Sequence, residues 1–118
     1  MKINVLGTEY EIEFHNYDEL EVFEDKGWDG YTDAISKKIV VGNIHTFPGY
    51  EKETEEYCSK CMKETMRHEI VHAFLNESGL QSCALKHSGG WAKNEEMVDW
   101  IALQFPKMLE AFKTAGCL

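Results

Sequence analysis

The chain has 118 residues, of which 43% are hydrophobic and 12% aromatic, and its formal net charge is −9. This composition excludes a disordered chain and fits one folded domain spanning residues 1–118. The negative charge makes nucleic acid and anionic membrane surfaces poor partners. No apolar run reaches the length of a membrane span and the first residues do not resemble a signal peptide, so we expect a cytoplasmic protein.

The N-terminal half has the patterns of β-strands. Lys2–Leu6 and Glu9–Phe14 alternate apolar and polar residues around a turn signal at Gly7–Thr8, which predicts a hairpin. A short helix is expected over Tyr17–Asp25. The stretch "YTDAISKKIVVGNI" predicts a second hairpin, or one strand with a turn near Ser36–Lys37.

The C-terminal half has the patterns of helices. Glu51–Glu77 contains neither glycine nor proline, and Gly79 is placed to end this helix. A second helix is expected to begin at the N-cap residue Asn94. Pro106 should kink or end it, leaving a short final helix that runs from Pro106 to Thr114. Strands followed by helices predict an α+β fold, in which a small antiparallel or mixed sheet precedes two long helices.

The pattern His-Glu-x-x-His occurs inside the first long helix. His68 and His72 are four residues apart, so their rings project from the same face and can bind one metal ion. Glu69 is turned by about 100° from His68, at the edge of that site, where it can accept a proton from water. Two exposed histidines on an ordinary helix are the alternative interpretation.

A catalytic zinc ion usually has three protein ligands, so a third is needed. The extended pattern with a later glycine and histidine fails, because Leu75 and Ser78 occupy those positions. The next helix offers Glu95 and Asp99, which share a face. One can bind the ion while the other orients a histidine. Glu96 is the competing third ligand, and an ordinary solvated helix face would carry the same carboxylates.

"HEIVH" followed by "NEEMVD" resembles the gluzincins, the thermolysin-like zinc peptidases, and also the small ImmA/IrrE-type zincins of phages and mobile elements. The resemblance covers about a third of the chain. It implies a minimal zincin fold with Zn²⁺ bound by His68, His72 and Glu95. It also implies Glu69 as the general base and Asp99 as the residue that orients a ligating histidine.

Zincins usually have a strand beside the active-site helix whose edge binds an extended peptide. The segment Ala34–Gly42 is the expected strand. A group that stabilises the oxyanion is also needed, and the candidates are His87, Tyr31 and Tyr50. His87 falls in the stretch Leu80–Trp91, which we expect to be a loop. Of the three candidates, we include His87 with Glu69 among the predicted catalytic residues.

These patterns lead to a main hypothesis and two alternatives. The main hypothesis is a zinc-dependent metallopeptidase that acts on a peptide or protein substrate, with Glu69 as general base. The first alternative is a non-catalytic zinc-binding module for protein interaction, of phage or mobile-element type. The second is a helical scaffold without a metal ion.

Overall fold

The computed structural model describes residues 1–83, 90–115 and 117–118, and it contains a four-stranded mixed sheet. The strands are β1 (Lys2–Val5), β2 (Thr8–His15), β3 (Gly30–Asp33) and β4 (Lys38–Gly42). Their order in the sheet is β1-β2-β4-β3, so β1 and β3 form its two edges. The outer pairs are antiparallel, whereas β2 and β4 are parallel.

Both predicted hairpins are confirmed, with one shift in a turn. The first turn lies at Leu6–Gly7 rather than at Gly7–Thr8, because β2 already begins at Thr8. Leu6 and Gly7 have φ angles of 50° and 92°, as tight hairpin turns require. The side chain of Asn4 accepts the Gly7 N–H at 3.0 Å, which supports this conformation.

The helix predicted over Tyr17–Asp25 is divided into two pieces. A 3₁₀ turn covers Tyr17–Glu19, and α1 covers Glu21–Lys26. Glu19 turns back to accept the Asn16 N–H at 2.8 Å, which closes the first turn. Leu20 then adopts an extended backbone with φ −133°, and its side chain packs in a core cluster around Phe23.

The first long helix, α2, covers Glu55–Glu77 and is therefore shorter than predicted at its N-terminus. Thr54 caps it by accepting the Tyr57 N–H at 3.1 Å, while residues 51–54 precede the helix. At the C-terminus the prediction is confirmed, since Gly79 has φ 82° immediately after the capping residue.

Strands β1, β2 and β4 pack against α2 through a largely apolar face of the sheet. Residues paired with each other on neighbouring strands point to the same face of the sheet. The buried residues of one face contact the middle of α2. The sheet contributes Ile3, Val5, Tyr10, Ile12, Ile39 and Val41, and the helix contributes Met62, Met66, Ile70 and Ala73. A second cluster around Phe23, Val40, Ile44, Phe47 and Cys58 connects α1 and a 3₁₀ turn at Ile44–Thr46 to the sheet and α2.

The C-terminal part differs from the predictions at two places. Leu80–Cys83 forms a one-turn helix, α3, where a loop was expected, and residues 84–89 lie outside the described part. After a 3₁₀ turn at Trp91–Lys93, α4 runs without a break over Glu95–Ala115. Pro106 therefore does not end the helix, and the prediction of a separate final helix is wrong. Asn94 caps α4 as predicted, accepting the Met97 N–H at 2.9 Å.

α4 packs against α2 through the cluster of Leu75, Ala92 and Val98, with Val71 and Met97 beside it. Thus α2 contacts the sheet as well as α4, and the predicted α+β class with a mixed sheet is confirmed. Within the described residues, no helix combines the length and apolarity needed to cross a membrane.

Candidate metal centre

Three of the predicted ligands come together between α2 and α4. The Nε2 atoms of His68 and His72 are 3.0 Å apart. The Oε2 atom of Glu95 lies 3.1 Å from the first of these nitrogens and 3.3 Å from the second. A tetrahedral zinc ion with ligand bonds of ~2.0–2.1 Å needs ligand atoms about 3.3–3.4 Å apart. The donor atoms and their spacing therefore fit a zinc ion.

The two helices position these side chains in different ways. His68 and His72 are one turn apart on α2, so the helical repeat alone aligns them. Glu95 is the first residue of α4, and its place depends on the Asn94 cap that starts the helix. Glu96, the competing third ligand, is exposed and does not belong to the ligand group found among the described residues.

Asp99 lies behind one of the predicted ligands. Its Oδ1 atom is 2.7 Å from Nδ1 of His68. A carboxylate at this distance holds a proton on Nδ1, so Nε2 keeps its lone pair for a metal ion. This is the arrangement that the spacing between Glu95 and Asp99 predicted, since both residues are on the same face of α4.

Glu69 is buried, with 6% of its surface exposed, and it faces β3. The hydroxyl group of Thr32 lies 2.8 Å from Oε2 of Glu69 and 2.8 Å from its backbone oxygen, and can donate to either. Burial raises the pKa of Glu69, and the hydrogen bond from Thr32 opposes that rise. Burial also lowers the pKa of His72, which favours the neutral imidazole that a metal ligand needs.

The close approach of β3 to α2 depends on a glycine. A Cβ atom on Gly30 would lie 2.6 Å from Cγ2 of Thr65 and 2.9 Å from the carbonyl oxygen of Val40. The register pairs Gly30 with Val41 and Thr32 with Ile39, so both β3 residues face α2. Gly30 thus lets Thr32 come within hydrogen-bond distance of Glu69. Sequence reasoning missed Thr32.

A groove of about 930 Å³ runs past the metal centre, between β3 and α4. The predicted substrate strand was wrong, because β4 pairs with β2 on one side and with β3 on the other. Among the described strands, β3 (Gly30–Asp33) forms the edge of the sheet on this side. Tyr31 and Tyr50 line the groove, whereas His87 lies outside the described residues.

The lining of the groove is acidic. Its described carboxylates are Asp29, Glu64, Glu69, Glu95 and Asp99. The described lining residues include no lysine or arginine. With Glu69, Glu95 and Asp99 set aside, Asp29 and Glu64 still give this groove a negative potential that favours cationic groups.

No family model, curated protein or solved structure matches this chain. The likeness to the zincins is therefore carried by the residues of the two motifs.

Proposed function

We propose that this chain is a zinc-dependent metallopeptidase with a minimal zincin fold. The observation that carries the proposal is the meeting of His68, His72 and Glu95, whose three donor atoms lie 3.0–3.3 Å apart. Asp99 on the far side of the His68 ring adds the partner that zinc-ligating histidines usually have. Two histidines that were merely exposed on a helix would have neither neighbour.

In the proposed hydrolysis, the zinc ion and Glu69 have different roles. Zinc, when bound, polarises a carbonyl group and lowers the pKa of water to about 7. Glu69 accepts the proton of the water that attacks the scissile carbonyl carbon. It then delivers this proton to the nitrogen atom as the C–N bond breaks, which gives an amine and a carboxylic acid, and the acid loses its proton to the amine. The raised pKa of Glu69 suits both steps, because a proton carrier works best with a pKa near the operating pH.

The free edge of β3 supports a peptide substrate. The carbonyl oxygen of Asp29 accepts the Gly42 N–H at 2.8 Å, which fixes the alternation of hydrogen bonds between β3 and β4. By that alternation Gly30 and Thr32 direct their backbone groups away from β4, toward the groove. An extended peptide can add there as a further strand. The acidic lining favours peptides with lysine or arginine side chains.

Zinc analysis of a matched pair of variants tests the metal centre. Protein purified without added metal should contain about one zinc ion per chain, as measured by elemental analysis. Glu95→Gln should lose the ion, because the substitution replaces a ligand carboxylate by an amide. Glu96→Gln should keep it, because Glu96 is exposed and outside the ligand group. Equal zinc content in both variants would contradict the proposal.

A non-catalytic zinc-binding module is the second candidate function. It is favoured by the exposed apolar side chains on the two walls of the groove, Trp28 and Leu103, since apolar patches mark protein-binding surfaces. The two functions make different predictions for zinc-loaded protein mixed with a peptide library. The peptidase yields products that disappear in Glu69→Gln, whereas the module keeps its zinc and yields none.

A further inference from the structure

Pro106 lies inside α4, which continues on both sides of it. In a regular helix the N–H of residue 106 would donate to the carbonyl oxygen of Ala102, four residues earlier. Proline has no N–H, and its ring pushes against that carbonyl group. The oxygen of Ala102 is therefore left without its partner within the helix, although this residue is only 4% exposed.

The missing donor is supplied by the other helix of the metal centre. Nε of Arg67 donates to the carbonyl oxygen of Ala102 at 2.7 Å. Arg67 is the one arginine in the chain, and it immediately precedes His68 on α2. A hydrogen bond from a charged guanidinium group is stronger than one between neutral groups, and its planar geometry is specific.

The accepting carbonyl group belongs to the segment that carries the α4 residues of the site. Glu95, Asp99 and Ala102 recur at i, i+4 and i+7, so they share one face of α4, and all three line the groove. Two neighbouring residues of α2 therefore hold this face, His68 through Asp99 and Arg67 through Ala102. Together they fix both the position and the rotation of α4 relative to α2.

We propose that Arg67 is a positioning residue of the metal centre. Pro106 frees the carbonyl group of Ala102, and the bond from Arg67 to that group holds α4 where Glu95 can meet His68 and His72. This inference rests on the metal site proposed above. It differs from a simple repair of the helix, because a repair would need only some donor for the carbonyl oxygen, whereas positioning needs a bond that joins the two helices.

Four variants separate positioning from repair. Arg67→Met removes the donor and keeps most of the side-chain bulk. Arg67→Met with Pro106→Ala restores an N–H within α4 but leaves the two helices without this bond. Pro106→Ala alone retains Arg67, which can still donate because a carbonyl oxygen has two lone pairs. Lys63→Met removes a positive charge from an exposed position on α2 and is the control for charge.

Zinc affinity and the stability of the metal-free protein are measured for each variant. Affinity comes from competition with a chromophoric chelator, site geometry from the absorption spectrum of the cobalt-substituted protein, and stability from urea unfolding. We expect Arg67→Met to weaken zinc binding by about 10- to 100-fold, as is typical when the support of a ligand is lost. Pro106→Ala and Lys63→Met should stay within about twofold of the parent, since both retain the bond between the helices.

The double variant decides between the two roles. If Arg67 positions α4, Pro106→Ala restores the stability of the Arg67→Met protein, while zinc binding stays at least about tenfold weak and the cobalt spectrum stays altered. Recovery of zinc affinity together with stability would overturn the inference, as would normal affinity in Arg67→Met. Should Arg67→Met fail to fold, the double variant, with its repaired helix, still gives the answer. A parent protein that binds no zinc would overturn the metal centre itself, which separates the two failures.

Discussion

Two glutamates on the same helix, Glu69 and Glu77, have opposite surroundings. Both lie on α2 and both contact the sheet. The carboxylate of Glu77 accepts hydrogen bonds from Lys37, Tyr10 and Thr8, which lower its pKa to about 2. The carboxylate of Glu69 is buried, Thr32 is its side-chain donor among the described residues, and burial raises its pKa.

The difference separates a carboxylate whose charge is satisfied by protein donors from one whose surroundings suit the catalytic role proposed above. Glu77 has its charge matched by protein donors, so it connects the end of α2 to the sheet and has little tendency to take up a proton. The charge of Glu69 is only partly matched by protein donors, and Glu69 lines the same groove as His68, His72 and Glu95. A buried group whose charge is left incompletely satisfied lowers stability and remains available for chemistry.

The largest expected effect is the difference in peptide turnover between the variants Glu69→Gln and Glu77→Gln. Glu69→Gln should lower peptide turnover by at least about 10²- to 10⁴-fold, because the proton acceptor is lost, while zinc remains bound. Glu77→Gln should turn over substrate within about twofold of the parent, because Glu77 belongs neither to the ligand group nor to the described lining of the groove. The measurement is the initial rate of cleavage at matched zinc content, and similar losses in both variants would break the comparison.

The next largest effect is expected on zinc affinity when Asp99 is replaced. Asp99→Asn should weaken zinc binding by about 10- to 100-fold, because the amide supports the Nδ1 proton of His68 less well than a carboxylate does. Chelator competition measures the change, with Glu96→Gln as the exposed control on the same helix. An affinity equal to that of the parent would show that Asp99 does not orient the ligand.

Removing the hydroxyl group of Thr32, which donates to Glu69, should have a smaller effect on turnover. Thr32→Val preserves the shape of the side chain but not its hydroxyl group, so the carboxylate loses its fixed orientation, and turnover should fall by about tenfold. Thr32→Ser retains the hydroxyl group and should recover most of the rate. Zinc content should be unchanged in both variants, and a fully active Thr32→Val would remove Thr32 from the site.

The smallest effects are on stability, and they should have opposite signs. A carboxylate whose folded pKa is depressed contributes stability above its unfolded pKa, near 4.5, and loses it as the pH falls toward 2. Glu77→Gln should therefore lower the Tm by about 5 °C at neutral pH and flatten the decline in stability between pH 4.5 and 2. Metal-free Glu69→Gln should be at least as stable as the parent at neutral pH, because a buried charge has been removed. Thermal unfolding followed by circular dichroism measures both variants.

The features that the sequence predicted well depend on local spacing. His68 and His72 are aligned by one helical turn, Glu95 and Asp99 by another, and Asn94 marks the start of α4 through its own side chain. These relations involve residues within four positions of one another, so a periodic pattern is enough to reveal them.

The missed features depend on contacts between distant segments. Thr32 reaches Glu69 across 37 positions and Arg67 reaches Ala102 across 35, and neither pair forms a local pattern. The order of the strands also could not be read from alternation, so β4, which lies inside the sheet, was expected to have a free edge. One signal was available in the sequence. A proline inside an otherwise uninterrupted apolar pattern leaves a carbonyl group in need of a donor from elsewhere.

The edge formed by β3 has a consequence for the behaviour of the protein in solution. An exposed strand edge can pair with the same edge of another copy, which is a common route to aggregation. β3 is only four residues long, it follows Asp29 and ends with Asp33, and the chain has a net charge of −9. Two copies that approached each other along this edge would bring like charges together, whereas a basic peptide would meet opposite ones. The acidic groups that would favour the proposed basic peptide at this edge therefore also disfavour the pairing of two copies along it.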